Sequence, residues 1–131
     1  MEPKKLEQIP PQLQHQIMQL QQLQQRLEML VAQRSQMEVR MKEAERALSE
    51  LEKLDEDAVV YKNVGSILIK SQKDKVKEEL VDKKDTLEMR LKTIQRQEER
   101  TRTQFEEART KIQAALQRQG PGTDLGNLGP M

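Results

Sequence analysis

From Gln12 to Gln119 the chain has no proline and one glycine, Gly65, and through that stretch apolar residues recur at alternating steps of three and four. Starting at Leu13 the steps give Leu13, Gln16, Leu20, Leu23, Leu27, Leu30, Arg34, Met37, Met41, Ala44, Leu48 and Leu51, of which ten of twelve are apolar. A second run gives Leu80, Lys84, Leu87, Leu91, Ile94, Glu98, Thr101, Phe105, Ala108, Ile112 and Ala115, with eight of eleven apolar. Spacing of 3.5 residues sustained over several heptads is the seam of a coiled coil, where each side chain packs as a knob against a facing helix. The polar interruptions either set register at some cost in stability or are solvated breaks. All five prolines, at 3, 10, 11, 121 and 130, and the other four glycines, at 120, 122, 126 and 129, lie at the ends, so the breakers frame two helices instead of interrupting them.

The composition agrees. Ala, Glu, Lys, Leu and Arg supply 62 of 131 residues and Gln 18 more, with one Phe, one Tyr and no Trp. Such usage suits long helices and argues against a globular core built on large aromatic side chains. Arms are expected over 12–54 and 73–118, and helices from Gln12 to Lys53 and from Asp74 to Arg118 would be of matching length, about 63 and 68 Å at 1.5 Å per residue. Folding the chain at its centre brings Leu51 near Leu80 and Leu13 near Arg118, so intrachain pairing is favoured over a parallel homodimer. The expected fold is all-α dominated, an antiparallel two-helix coiled coil in one domain, with flexible ends at 1–11 and 119–131.

The helical period stops over 55–72. Val59, Val60, Tyr61, Val64, Ile67 and Ile69 are strand formers, and Asn63-Val64-Gly65-Ser66 is the internal turn signal, which predicts a β-hairpin. Ser71 or Asp74 is expected to cap the second helix, with Glu78 and Glu79 favourable to its dipole. Two strands alone are marginal in water, and the helices use their seams on each other. The hairpin therefore needs strands from other chains, in a shared sheet or intersubunit β-barrel, unless it folds back onto its own helices.

Catalytic chemistry lacks its parts. His15 is the lone histidine in a chain without cysteine, which leaves no zinc set or His-based catalytic pair. No glycine loop cradles phosphate, so ATP and GTP binding are unsupported and no cofactor is expected. Asp55, Glu56 and Asp57 lack calcium-loop spacing and read as a solvated loop. Lys73, Lys75, Lys77, Lys83 and Lys84 interleave with acids, as on a solvated helical face. A net charge of +1 gives no basis for nucleic acid or acidic membranes as partners. No run reaches membrane-spanning length, and the start lacks an apolar signal core, which points to a soluble intracellular protein.

The helix ends remain. From Gln8 to Gln25 the only titratable side chain is His15, among many glutamines. Near the other end, Ile112, Ala114, Ala115 and Leu116 precede a Gly/Pro tail carrying Leu125 and Leu128. An uncharged, apolar end can hold exposed apolar segments of other proteins, and Met and Gln suit adaptable contacts. Leu13, Leu20 and Leu23 mainly finish the seam, whereas Ile9, Ile17, Met18 and Leu116 are expected to be exposed.

The central Val60-Tyr61-Lys62-Asn63-Val64-Gly65-Ser66-Ile67-Leu68-Ile69-Lys70, flanked by coiled-coil arms, resembles the hairpin of the β-type subunit of prefoldin, the co-chaperone family also called GimC. Leu13-Gln14-His15-Gln16, Leu23-Gln24-Gln25 and Thr93-Ile94-Gln95-Arg96-Gln97-Glu98-Glu99-Arg100 are similar to that family too, so the likeness covers nearly the whole chain. It implies a hexamer of two α-type and four β-type subunits whose hairpins form a double β-barrel. A single hairpin favours the β-type. It also implies a non-enzymatic, ATP-independent holdase in the cytosol that captures unfolded clients at its arm tips and delivers them to a group II chaperonin. Carried over, Val60, Tyr61, Val64, Gly65, Ile67 and Ile69 would serve assembly, and Ile9, Leu13, Ile17, Met18, Ile112 and Leu116 client contact. The alternative is a structural adaptor that oligomerises through its hairpin and binds one defined partner.

Overall fold

The computed structural model describes residues 9–118, so the expectations for the first eight residues and for the tail from 119, Leu125 and Leu128 included, lie outside the described residues. The order is α1 (Pro11–Glu52), β1 (Val59–Val64), β2 (Ile67–Gln72) and α2 (Lys73–Arg118). Pro11 occupies the first helical position, where its missing N–H is no loss. The Gln14 amide donates to the Pro10 carbonyl at 3.0 Å and the Gln14 side chain to the Ile9 carbonyl at 2.9 Å, closing the first turn.

The chain divides into two compact units. In the one formed by 9–31 and 96–118, α1 and α2 run antiparallel, with Leu13, Leu20, Phe105, Ile112 and Leu116 as a buried cluster. Ile9, Ile17, Leu23, Ala108 and Ala115 pack against it. Thr101 and Glu98 are also buried here, and Glu98 accepts a hydrogen bond from Arg102 at 3.3 Å. In the unit formed by 32–95, Ala44, Leu51, Leu87 and Ile94 are buried. None of the residues on either predicted stripe is exposed, Gln16, Arg34, Lys84, Glu98 and Thr101 included. Glu98 and Thr101 therefore sit within the packed seam, whereas Gln16, Arg34 and Lys84 are half-buried at its edge, and no buried side-chain polar atom lacks a hydrogen-bond partner among the described residues.

How α1 ends sets up the hairpin. The Lys53 and Leu54 amides donate to the Glu50 and Leu51 carbonyls at 3.3 and 3.0 Å, tightening the last turn. Lys73, itself buried, reaches back from the first residue of α2 to donate to the Leu54 carbonyl at 2.7 Å, placing a cation where the dipole of α1 is negative. A turn closed by the Ala58 amide on the Asp55 carbonyl, at 3.0 Å, then leads into β1.

The strands pair antiparallel from Val59↔Gln72 to Val64↔Ile67, leaving a two-residue loop, Gly65-Ser66. Gly65 has φ +62° and no other residue type has positive φ among the described residues, the sign pattern of a type II′ turn, which requires glycine first. β2 runs into α2 without a linker. This corrects the capping expectation: Ser71 belongs to β2, paired with Val60, and Asp74 lies inside the first turn, so neither precedes the helix as a cap.

A Cβ on Gly65 would meet nothing within 4 Å, so substitution there is opposed by backbone conformation alone. Gly65→Val is expected to destabilise the hairpin by at least about 1–2 kcal/mol and to reduce the native mass measured by size exclusion with light scattering. An unchanged mass would count against assembly through this turn.

Candidate functional site: the hairpin and the helix ends

Alternation and register divide the hairpin side chains between two faces. Val60, Val64, Ile67 and Ile69 share one face with Lys62 and Ser71, and Val59, Tyr61 and Leu68 share the other with Asn63, Lys70 and Gln72. Val60 and Lys62 are half-buried, whereas Tyr61 is 64% exposed and Val59, Val64, Ile67, Leu68 and Ile69 are exposed as well. Six large apolar side chains in twelve strand residues thus face solvent, each able to contribute about 1.5–3 kcal/mol if fully buried. The hairpin has not folded its apolar surface onto the helices. Of the assembly residues expected from sequence, all but half-buried Val60 are exposed; Val59, two residues before Tyr61 on β1, and Leu68, which the register brings to the same face, were not among them.

Charges fix the hairpin base. Lys62 pairs with Glu79 of α2 at 2.8 Å, and Lys77 of α2 with Glu52 of α1 at 2.6 Å. The hydrogen bond from Lys77, reinforced by its charge, holds the Glu52 carboxyl below the ordinary carboxylate range, and Glu52 raises Lys77 in the same way.

At the helix ends the expected client residues separate by exposure. Met18 is 58% exposed, Ile9 and Ile17 are half-buried, and Leu13 is buried. Ile112 is 1% and Leu116 3% exposed. The expectation that Leu116 is exposed is therefore corrected: it belongs to the cluster with Leu13 and Ile112, because α2 stays helical to Arg118 and carries the stripe with it. The surface that remains is different. Met29, 54% exposed, lies eleven residues from Met18, three helical turns on, and exposed Gln21, Gln22 and Gln25 fill the same side of α1. Met29 was missed because Arg26 and Glu28 end the uncharged run; the eleven-residue spacing was the available signal. A shallow groove of about 560 Å³ between the helices is lined by Gln16, Gln19, Leu23, Gln104 and Ala108, among others. His15 is exposed beside Gln19 at 3.2 Å, and no group of three or more potential metal ligands comes together among the described residues.

Two antiparallel helices joined by an apolar hairpin that nothing among the described residues covers define an assembly subunit of the coiled-coil type. The comparisons name the kind. A family model described as prefoldin subunit matches residues 14–119. The chain is 49% identical over 108 residues to the prefoldin subunit beta of Archaeoglobus fulgidus, covering 82% of this chain and 93% of that one. To the Methanosarcina acetivorans prefoldin subunit beta it is 51% identical over 108 residues, 82% of this chain and 92% of that one. The crystal structure of the prefoldin beta subunit from Thermococcus strain KS-1 superposes with a TM-score of 0.75 at 44% identity, covering 82% of this chain and 95% of that one. The chain belongs to the prefoldin family of chaperone subunits.

Two outcomes follow for stability. Ile112→Ala is expected to cost about 2–5 kcal/mol in denaturant unfolding, because it empties the centre of a buried cluster; a value near zero would mean the cluster is not packed. Glu52 has a lowered folded pKa, so its pairing with Lys77 stabilises above the ordinary carboxylate range and is lost as pH falls through the lowered value; for Lys77, raised, the stabilisation is lost as pH rises through the raised value. Glu52→Gln should accordingly lower the thermal midpoint slightly at pH 7, and circular-dichroism melts should show the difference vanish in strong acid.

Proposed function

We propose that this chain is the β-type subunit of a hetero-oligomeric, ATP-independent holdase acting in the cytoplasm. The observation that carries the reading is the hairpin, whose apolar residues face solvent on both sides while the helices bury their stripes on each other. In the proposal Val60, Val64, Ile67 and Ile69 supply the apolar face of a β-barrel shared among two α-type and four β-type subunits, with Gly65 making the turn and Tyr61 lying on the other face. The helix ends hold non-native protein, which passes to a group II chaperonin. Met18, Met29 and the half-buried Ile9 and Ile17 touch the client directly; Leu13, Ile112 and Leu116 keep the helix ends paired and meet a client where those ends open. Several arms per complex add weak contacts into useful avidity.

Light scattering during dilution refolding of several unrelated denatured proteins tests this, with the chain co-assembled with an α-type partner and no nucleotide added. The intact complex should suppress aggregation of all of them. A Met18→Glu, Met29→Glu complex of the same mass should suppress it several-fold less, since exposed substitutions of this kind leave stability nearly unchanged. If the intact complex forms yet protects none, the holdase reading fails and a selective adaptor takes its place.

A further inference from the structure

Every sulfur in this chain is a methionine thioether, because there is no cysteine to meet an oxidant first. The structure sorts those methionines by access. Met18 and Met29 are exposed on one side of α1 among exposed Gln21, Gln22 and Gln25, and Met89 on α2 is more exposed still, at 71%. Met37 and Met41 are half-buried on the α1 stripe, and Met1 and Met131 lie outside the described residues. Oxidation follows access to sulfur, and the sulfoxide it leaves is polar where the thioether was apolar and adaptable. On the stripe such a group would disturb the seam. At 18 and 29 it changes the surface of the helix end and touches none of the buried cluster of Leu13, Leu20, Phe105, Ile112 and Leu116.

We propose that Met18 and Met29 are sites of reversible oxidation by peroxide, and that their conversion to methionine sulfoxide weakens client capture at the helix ends; this rests on the holdase reading above. The step is an oxygen transfer. The thioether sulfur attacks one oxygen of hydrogen peroxide, the O–O bond breaks as the S–O bond forms, and the proton of the attacked oxygen passes to the departing one. Sulfur is oxidised and the peroxide is reduced to water. Methionine sulfoxide reductases reverse the change, with a dithiol that removes the oxygen as water and ends as a disulfide. Met89 undergoes the same oxidation without a part in capture, so it separates a local effect from general damage.

The test uses the full chain co-assembled with an α-type partner. Complexes with the unchanged chain, with Met18→Leu and Met29→Leu together, or with Met89→Leu are treated with hydrogen peroxide and freed of it. Each is then scored for aggregation suppression against its own untreated sample, while peptide mass spectrometry reads oxygen gain at every methionine. Met18, Met29 and Met89 should oxidise several-fold faster than Met37 and Met41, and denaturant should level the rates. The treated unchanged and Met89→Leu complexes should protect clients several-fold less at constant native mass. The double leucine complex should keep most of its protection, although Met89 and the α-type partner are oxidised in it. Reductases for both sulfoxide epimers, with a dithiol, should restore the unchanged complex. The inference alone is overturned if protection survives oxidation of Met18 and Met29, if the double leucine complex loses as large a share, if native mass falls, or if reduction restores nothing. An untreated complex that protects no client overturns the holdase reading, and this inference with it.

Discussion

Everything in this chain follows from two stripes burying each other. A two-helix pairing has a single layer of core, so each helix has one apolar side to give and gives it to its neighbour. No stripe position is exposed in either unit, which leaves nothing on the seam to cover the strands between the helices. The apolar hairpin is thus left open by the packing rule that makes the helices stable. A two-stranded sheet with open edges is marginal by itself, and among the described residues no third strand completes it.

The hairpin is nonetheless aimed, and the device is electrostatic. Lys73 ties the start of α2 to the last carbonyl region of α1, Lys77 adds the link to Glu52, and Lys62 ties β1 to Glu79. The Lys77 and Lys62 pairs are near half exposed, where each alone contributes little. Their value lies in direction: lysines of β1 and α2 meet partners in α2, in α1 and just past its end, around the strand–helix junction.

Most of the architecture was legible in the sequence because it rests on period. The steps from Leu13 and from Leu80 mark the seam residue by residue, and Gly65 between two runs of β-branched residues marks a turn whose positive φ the structure shows. What was not legible depends on where a period ends or on which strand faces which. Leu116 looked terminal and exposed because Gly120 and Pro121 follow closely, yet the helix runs to Arg118 and keeps it in the cluster. Ser71 looked like a cap because the residues before α2 looked like loop, but the strand continues through Gln72. Leu68 needed the register, and Met29 lies on the side of α1 opposite the seam that the period marks.

The polar seam residues bear on why the pairing is unique. A stripe of leucine alone can slide by a heptad at little cost, since one leucine replaces another. Glu98 and Thr101 interrupt the second stripe while buried, and every buried polar side-chain atom among the described residues has a partner. In a slipped pairing those groups would face leucine, and an unsatisfied buried polar group costs about 1–3 kcal/mol. Slippage would also move the strand–helix junction away from the partners of Lys73 and Lys77.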